Sequence, residues 1–237
     1  MRTVFITGAN RGIGLEFVKQ YVAHGDLVLA CCRRPGGAAE LKALEKANRN
    51  NLHVHALDVT KTEAIQRLAG ALSETSIDLL INNAGIFGPK VDVDKDRRQS
   101  LGHIDEEIVA KVMRTNALAP LVLAQAFTEH VARSSERKMI AISSSLGSIA
   151  DTNGGYYAYR MSKAALNMAM ATLAKDLEPR GVSVLVYCPG WVKTEMGGAL
   201  ATETVEASVS GLRRLIEGTG GVGSARFQSF DGTAVPW

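Results

Sequence analysis

Short apolar runs alternate with longer segments of helical spacing along the whole chain. The runs are rich in Val, Ile and Leu, and such short, continuously apolar runs are typical of strands buried on both faces of a parallel sheet. Strands that alternate with helices pack as a doubly wound sheet, because crossovers between parallel strands are right-handed. The sequence therefore predicts one α/β domain over residues 1–237, with helices on both faces of a mostly parallel sheet.

The same pattern predicts where the elements lie. The strands are expected at residues 3–6, 27–32, 52–56, 79–81, 139–142 and 182–187. The helices are expected at residues 13–23, 38–47, 62–73, 106–133, 157–177 and 203–217. Pro120 lies inside the fourth helix, four residues after Asn116, and proline removes one internal hydrogen bond. A kink near Asn116 is therefore expected.

Two segments interrupt this alternation. Residues 92–99 are polar and lack apolar periodicity, which predicts a solvated loop. The glycine-rich residues 218–223 follow a helix and not a strand. A phosphate-binding turn needs a strand before it, so we expect a flexible connector at this position.

Composition and charge argue against several partners. The chain has 27 Lys and Arg against 24 Asp and Glu, and no basic run is interleaved with aromatic residues, so we expect no nucleic-acid partner. The longest apolar runs are far shorter than the roughly 20 residues that span a bilayer. The N-terminus shows no cleavable leader pattern. We expect a cytoplasmic protein that does not bind membranes.

Cysteine and histidine patterns suggest neither disulfides nor a metal. Cys31 and Cys32 are neighbours on a predicted strand and should face opposite sides of the sheet, while Cys188 lies far along the chain. His53 and His55 also share a strand, but no carboxylate or cysteine completes a ligand set at metal-binding spacing. We therefore expect no disulfide framework and no metal site.

A glycine-rich turn joins the first strand to the first helix, over residues 7–14 (TGANRGIG). Glycines let the backbone turn tightly and approach a pyrophosphate, which then lies on the helix N-terminus. This context predicts a Rossmann-like dinucleotide site. Taken alone, the pattern is also compatible with a turn that binds nothing.

The end of the second strand indicates which dinucleotide is bound. Chains that bind NAD usually place an acidic residue there, about 20 positions after the glycines, to hold the ribose hydroxyls. Here Arg33 and Arg34 follow the strand. Arg33, together with Arg11 in the glycine turn, could clamp a 2′-phosphate, which favours NADPH over NADH. The alternative is that the two arginines are merely solvated.

Tyr159 and Lys163 are four residues apart in a predicted helix and so share one face. An ammonium beside a phenol stabilises the phenolate, which makes tyrosine an acid–base group. Because tyrosine ordinarily ionises near pKa ~10, work near neutrality needs about 4 kcal/mol of differential stabilisation. One exposed ion pair does not supply this, so a buried neighbour or a cofactor charge must contribute.

Together these motifs resemble the short-chain dehydrogenase/reductase family over essentially the whole chain. The matching segments are residues 7–14 (TGANRGIG), 58–59 (DV), 82–85 (NNAG), 116 (N), 142–144 (ISS), 159–163 (YRMSK) and 189–190 (PG). Residues 146–149, 157–160 and 230–237 are similar to those of the sniffer and C-factor-like branch of carbonyl reductases.

The resemblance implies a catalytic set of Asn116, Ser144, Tyr159 and Lys163. Tyr159 would protonate a carbonyl oxygen, Lys163 would lower the pKa of Tyr159 and bind the nicotinamide ribose, and Ser144 would hold the substrate oxygen. Ser143 and Ser145 are near alternatives to Ser144, although neighbours on a strand cannot both face one site. Asn116 would hold a water that passes protons to Lys163, with an ordinary helix asparagine as the alternative.

The resemblance also implies the residues that bind NADPH or NADP. They are Gly8, Asn10, Arg11, Gly12, Ile13, Gly14, Arg33, Asp58, Val59, Asn83, Ala84, Gly85, Tyr159, Lys163, Pro189, Gly190, Val192 and Thr194. The substrate pocket would be built by residues 86–102, a small insertion near residues 151–155 and a lid after Thr194. Trp191 either borders the substrate or packs beside the Pro-Gly turn.

These features predict an NADPH-dependent carbonyl reductase that acts on a ketone, aldehyde or quinone. The alternative is an NADP(H)-sensing binding protein with little turnover, because the fold can outlive activity. Serine hydrolysis is disfavoured, since residues 143–145 lack the Gly-x-Ser-x-Gly turn. The family resemblance further implies a homo-oligomer, a dimer or tetramer formed through the helices that carry Asn116 and Tyr159.

Overall fold

The computed structural model describes residues 1–219 and 226–237 and contains one seven-stranded sheet in the order β3-β2-β1-β4-β5-β6-β7, with every neighbouring pair parallel. The strands are β1 (Thr3–Thr7), β2 (Leu27–Cys32), β3 (Leu52–Ala56), β4 (Leu79–Asn82), β5 (Lys138–Ile142), β6 (Ser183–Cys188) and β7 (Phe227–Ser229). The helices are α1 (Gly12–Ala23), α2 (Ala39–Ala47), α3 (Thr62–Ala71), α4 (Val91–Asp94), α5 (Glu106–Met113), α6 (Ala119–Ala132), α7 (Tyr157–Leu177) and α8 (Val205–Gly218). The predicted Rossmann-like, doubly wound fold is confirmed.

Side chains from the sheet enter two apolar layers, one on each face. Phe5 packs in the layer formed with α3, α6 and α7, whereas Val4 and Ile6 pack in the layer formed with α1 and α8. Cys31 and Cys32 also divide between the two layers, as the two-residue period of a strand requires. Both faces of the sheet are therefore covered, which explains why its strands read as continuous apolar runs.

Side-chain caps set the starts of two later helices. The Asp105 carboxylate accepts a hydrogen bond from the Ile108 N–H (3.0 Å) at the start of α5, and the Thr204 hydroxyl accepts one from the Ala207 N–H (3.1 Å) at the start of α8. Each satisfies a backbone donor that has no partner inside its helix. Because Thr204 is the cap, α8 begins at Val205 and not at residue 203.

The predicted helix over residues 106–133 is divided by a π-helical turn, Arg114–Leu118, between α5 and α6. The N–H of Ala119 reaches back five residues to the carbonyl of Arg114. Pro120 has no N–H, so it cannot supply the donor that the Asn116 carbonyl would otherwise meet four residues on. The expected kink near Asn116 is found, and its form is a widened turn at the centre of the chain's longest helical segment.

Three predictions about irregular segments have different outcomes. The short helix α4 lies partly inside residues 92–99 and Gln99 at the end of this range is buried, so the prediction of a solvated loop was wrong at both ends. Strand β7 was not predicted, because three residues are too few to show a period. The connector predicted at residues 218–223 lies largely outside the described residues. Across residues 1–219 and 226–237, no helix is both long and apolar enough to cross a membrane.

Candidate active site

The predicted site residues gather along the carboxyl edge of the sheet, where every strand of this parallel sheet ends. They lie in the turn after β1 (residues 8–14), after β2 (Arg33), after β3 (Asp58 and Val59), after β4 (residues 83–85), after β5 (Ser144) and after β6 (residues 189–194). β1 and β4 are neighbours at the point where the strand order reverses. Ligands of open α/β sheets bind in the crevice at this point.

The glycine turn after β1 has no room for side chains. Gly8 and Gly12 have φ angles of +66° and +53°, in the left-handed region that glycine adopts without strain. A Cβ at Gly14 would overlap the carbonyl oxygen of Gly8 and lie 2.5 Å from Nδ2 of Asn83. The glycines therefore leave the backbone of the turn exposed to a ligand and let α1 pack closely on the sheet.

Asn83 and Thr7 brace this turn from the neighbouring strand end. The Asn83 side-chain amide donates to the carbonyls of Thr7 (2.9 Å) and Gly8 (3.3 Å). In return, the Thr7 hydroxyl accepts hydrogen bonds from the N–H groups of Asn83 (3.0 Å) and Ala84 (3.1 Å). The segment after β4 thus fixes the shape of the turn through its side chain, which gives Asn83 a structural part in any phosphate site here.

The N-terminus of α1 has the properties of an anion site. Arg11 precedes the first helical residue in extended backbone, and among the described residues no side chain caps the first turn, which contains no Asp or Glu. The first N–H groups of a helix lack intrahelical partners and carry partial positive charge. Together with the open glycine turn, this arrangement fits the pyrophosphate of a dinucleotide.

The two candidate 2′-phosphate ligands lie on the surface near this turn. Arg33 is exposed after β2 and influences Asp58, which follows the adjacent strand end. Burial raises the pKa of Asp58, but hydrogen bonds from Thr60 and the charges of Arg33 and Lys61 together lower it. Arg11 is half exposed and forms an ion pair with Glu195. Arg33 therefore lies near Asp58, one of the predicted cofactor-binding residues, while Arg11 is paired with Glu195 in the segment after β6.

Tyr159 lies in the first turn of α7, buried and close to Ser144. Burial raises the pKa of Tyr159 to about 12, and the nearby Ser144 hydroxyl opposes this rise. The ring of Phe87 stacks on the Tyr159 ring, with centroids 4.2 Å apart and an interplanar angle of 23°. The phenol is thus held between a hydroxyl and an aromatic face, and it keeps its proton at neutral pH.

The three consecutive serines after β5 have different surroundings. Ser143 is buried and donates to Oδ1 of Asn167 (2.6 Å), away from Tyr159. Ser145 is exposed, and its N–H meets the sulfur of Cys188 (3.2 Å). Ser144 is the serine whose hydroxyl lowers the pKa of Tyr159, which places it close to the phenol. This favours Ser144 over its two neighbours as the partner of the phenol.

Lys163 lies one helical turn after Tyr159 and is also buried. Its ammonium donates to the carbonyl of Ile142 (2.8 Å) and lies 5.7 Å from the centre of the Tyr159 ring. Burial lowers the pKa of Lys163 to about 8. The protein's own groups therefore raise the pKa of Tyr159, and it is Ser144, and not Lys163 as the family resemblance implied, that opposes this rise.

Asn116 ties the π-helical turn to the segment after β4 and to α7. Its amide nitrogen donates to the carbonyl of Ile86 (2.8 Å) and to the Ser162 hydroxyl (3.0 Å), and its oxygen accepts from the Ile86 N–H (2.9 Å). Ser162 donates in turn to the carbonyl of Tyr159 (2.7 Å). The Asn116 side chain is therefore occupied in fixing the site.

Comparison with known proteins identifies the family. The sequence model described as short chain dehydrogenase matches residues 2–205. The chain belongs to the short-chain dehydrogenase family. The C-signal protein of Myxococcus xanthus is 41% identical over 162 residues, which cover 68% of this chain and 93% of that protein.

Two solved structures of this family superimpose on essentially the whole molecule. Carbonyl reductase Sniffer of D. melanogaster has a TM-score of 0.89 and 32% identity, with both chains fully covered. The NADPH-bound carbonyl reductase from chicken fatty liver also has a TM-score of 0.89 and 32% identity, over 100% of this chain and 99% of that one. The resemblance to the sniffer and C-factor-like branch is confirmed.

The segment after β6 forms a border of the site in this short-chain dehydrogenase. Gly190 has a φ of +80°, and the Ser208 hydroxyl of α8 donates to the carbonyl of Pro189 (2.6 Å). Val192 forms an isolated parallel bridge with Glu203. A Cβ at Gly12 would lie 3.2 Å from the methyl group of Thr194, so the lid reaches the glycine turn.

Trp191 is about half exposed, and its indole N–H donates to the carbonyl of Gly197 (2.9 Å). This hydrogen bond closes the lid segment on itself. Of the two interpretations of Trp191, packing is the one with a contact that the structure shows.

The sequence analysis assigned residues 86–102 to the substrate pocket without singling out any of them, and it gave Ser162 no role. Phe87 contacts Tyr159, Gln99 contacts the start of α7, Ser162 links Asn116 to Tyr159, and Lys90 donates to the carbonyl of Met196 in the lid. Phe87 could have been suspected, because it follows the NNAG motif by two positions. Gln99 carries no such signal, since its partner Tyr159 is 60 positions away.

Proposed function

We propose that this short-chain dehydrogenase is an NADPH-dependent carbonyl reductase, with residues 1–237 forming one cofactor-binding and catalytic domain. The observation that carries the proposal is the buried Tyr159 phenol, close to Ser144 and at the same sheet edge as an uncapped helix N-terminus. The carbonyl reductase names of two structural relatives support the reaction class. The NADPH bound in one of them supports the cofactor.

The cofactor would be held by backbone groups of the glycine turn and the first turn of α1. Gly8, Gly12 and Gly14 keep that surface free of side chains, and Arg33 would pair with the 2′-phosphate. Arg11 would join it after leaving Glu195. When bound, NADPH supplies the hydride, and the protein supplies binding, orientation and the proton.

Tyr159 is the proposed proton donor to the substrate oxygen. A general acid must carry its proton at the working pH, and burial keeps the Tyr159 pKa well above neutrality. Ser144 would hold the same oxygen from its other side. Lys163, with its pKa lowered to about 8 by burial, would return a proton to the site. The backbone carbonyl of Asn116 would hold the water that connects Lys163 to solvent.

The surroundings of Tyr159 favour small apolar or aromatic carbonyl substrates. Phe87 stacks on Tyr159 and meets Tyr156 edge to face, with centroids 5.0 Å apart. Aromatic faces of this kind bind planar apolar groups through area and ring geometry. We therefore propose ketones, aldehydes and quinones that carry aromatic or short aliphatic groups.

The test follows NADPH absorbance with quinones, α-diketones and aromatic aldehydes, in the protein and in Tyr159→Phe. Loss of the proton donor should lower kcat by about 10²- to 10⁴-fold, with NADPH binding unchanged. Tyr157→Phe is the matched control, because Tyr157 is exposed and lies on the same helix turn. The proposal fails if Tyr159→Phe turns over as fast as the unmodified protein.

An NADP(H)-sensing protein with little turnover is the second candidate, and the name of the Myxococcus xanthus relative, C-signal, favours it. The two functions differ in the outcome of the same experiment. Tight NADPH binding without turnover of any substrate in the panel would support sensing. Turnover that disappears in Tyr159→Phe supports the reductase.

We also propose a cytoplasmic homo-oligomer. The surface of the π-helical turn and α7 exposes Leu118, Met161 and Met168, which are 48%, 48% and 69% exposed. An apolar surface on these elements suits self-association. Sedimentation of the protein and of Met161→Lys would test this, since a charge in such an interface should produce monomers.

Cys31, Cys32 and Cys188 are free thiols, which is compatible with a reducing compartment.

A further inference from the structure

Gln99 is a fully buried polar residue in the segment between β4 and α5. Its side-chain amide donates to the carbonyls of Phe87 (3.2 Å) and Pro89 (2.5 Å), and its side-chain oxygen accepts from the Tyr159 N–H (3.2 Å). Its backbone carbonyl accepts from the Tyr157 N–H (3.1 Å). A buried amide with all of these groups paired fixes its neighbours strongly, because any loss leaves a polar group unsatisfied.

Two of these hydrogen bonds complete the start of α7. Tyr156 precedes the helix in the left-handed region, with a φ of +49°, and among the described residues its side chain forms no capping hydrogen bond. The N–H groups of Tyr157 and Tyr159 belong to the first turn and lack intrahelical partners. Gln99 supplies both acceptors from outside the helix. The first turn of α7, which carries Tyr159, is therefore anchored by Gln99.

The other two hydrogen bonds hold Phe87 in place. Gly88 has a φ of +83°, and a Cβ there would lie 3.3 Å from Nε2 of Gln99, so the chain wraps closely around the amide. The same amide fixes the carbonyls of Phe87 and Pro89 on both sides of Gly88. The Phe87 ring then lies parallel to the Tyr159 ring at 4.2 Å. Because Gln99 forms hydrogen bonds with the backbones of both Phe87 and Tyr159, it sets the position of these two residues relative to each other.

We propose that Gln99 is a positioning residue for the reaction, which holds the Phe87 ring over Tyr159 and so keeps the phenol oriented and shielded from water. The inference rests on the proposed function, because it assigns Gln99 a role through the proposed proton donor. Ser144 and Cys188 act on Tyr159 from other elements packed around it, and Lys163 lies beside it on α7. None of them holds the Phe87 ring, so their effects are separable from that of Gln99.

Displacing the Phe87 ring from Tyr159 should have two measurable consequences. A phenol that tilts away from Ser144 loses the alignment needed for proton transfer, and small displacements of reacting groups lower rates strongly. Water that reaches the phenol stabilises the phenolate, so the pKa of Tyr159 should fall from its raised value toward the ordinary one. Because reduction needs the protonated phenol, activity should then be lost at a lower pH.

The experiment compares Gln99→Met, Gln99→Glu and Phe87→Leu with the control Gln66→Met, which changes an exposed glutamine on α3. Gln99→Met keeps the length of the side chain and removes its hydrogen bonds. Gln99→Glu keeps an acceptor for the Tyr159 N–H but loses the donor to Phe87 and Pro89. Phe87→Leu leaves the anchor of α7 intact and removes the ring.

We expect kcat to fall by about 10- to 100-fold in all three test variants, with NADPH binding unchanged. The alkaline limb of the kcat profile should move to lower pH in Gln99→Met and Phe87→Leu, and Gln66→Met should match the unmodified protein. If Gln99→Met does not fold, Gln99→Glu and Phe87→Leu decide the question. Gln99→Glu with an unchanged kcat would overturn the proposal, because capping of α7 would then be the whole role of Gln99.

The Tyr159 pKa can also be measured without turnover. Tyrosinate absorbance is titrated in each protein and in the same protein with Tyr159→Phe, and the difference reports Tyr159 alone. A lower Tyr159 pKa in Gln99→Met and Phe87→Leu supports the positioning role even if no carbonyl is reduced. An unchanged pKa in both variants overturns it, whether or not the protein proves to be a reductase.

Discussion

The ammonium nitrogen of Lys163 lies 5.7 Å from the centre of the Tyr159 ring and donates its hydrogen bond to the carbonyl of Ile142. The two side chains share one face of α7, as their spacing requires, and both are buried. Burial disfavours the charged form of each, so it lowers the pKa of Lys163 to about 8 and raises that of Tyr159 to about 12. A bound cofactor charge is therefore needed before the phenol can ionise readily.

The first prediction concerns stability against pH and uses Lys163→Met. Lys163 has its folded pKa lowered to about 8 from 10.5, so between these values the unfolded chain binds more protons than the folded one. The free energy of unfolding should therefore rise with pH in this window. The contribution of Lys163 to that rise is about 2 kcal/mol between roughly pH 7 and pH 9.5.

Urea unfolding at the two pH values, in the protein and in Lys163→Met, measures this contribution. Other titrating groups are common to both proteins and cancel in the difference. The variant should gain less stability on going to the higher pH. Equal gains in the two proteins would show that Lys163 is not desolvated as the structure indicates.

The second prediction contrasts two helical glycines. Gly14→Ala places a Cβ against the Gly8 carbonyl and the Asn83 amide, so α1 must move away from the turn. We expect a loss of about 3 kcal/mol in unfolding free energy and much weaker NADPH binding. Gly70→Ala on α3 is the control, because a Cβ there meets no described atom within 4 Å. It should stabilise the protein by about 0.5–1 kcal/mol, and thermal unfolding with and without NADPH measures both effects.

The third prediction concerns the choice of cofactor and uses Arg33→Asp. A carboxylate at this position would repel a 2′-phosphate and could accept hydrogen bonds from the ribose hydroxyls of NADH. We expect the KM for NADPH to rise by about 10- to 100-fold while that for NADH falls. Arg34→Asp makes the same charge change one residue later and should leave the preference nearly intact. An unchanged ratio of kcat/KM for the two cofactors in Arg33→Asp would remove Arg33 from the site.

The sequence located the sheet accurately because its strands are buried on both faces. Continuous apolar runs then mark the strands, and all six predicted strand positions differ from the observed bounds by no more than one residue at either end. Strand β7 was not predicted because it has only three residues, and α4 was not predicted because its four residues lack a helical apolar period. Pro120 signalled the irregularity near Asn116, but a missing N–H alone does not specify a π-helical turn.

The site divides in a similar way between local and distant signals. The glycine turn and the Tyr159–Lys163 pair are short-range patterns, so their placement at one sheet edge could be expected from the strand order. Gln99 and Ser162 act through hydrogen bonds to partners that only folding brings close, and no spacing rule reports them. The sequence also could not predict that the pKa of Tyr159 is raised, because burial in the folded protein is the largest cause of this shift.

The last prediction concerns the ion pair between Arg11 and Glu195, which joins the glycine turn to the lid. If Arg11 must leave Glu195 to meet the 2′-phosphate, then Glu195→Gln should tighten NADPH binding. Both side chains are more than half exposed, so the gain should be small, at most about fivefold, and should shrink as salt is raised. Glu107→Gln removes the same charge from α5 and is the control for net charge. Fluorescence titration with NADPH measures the effect, and an equal gain from Glu195→Gln in an Arg11→Ala background would show that Arg11 plays no part in it.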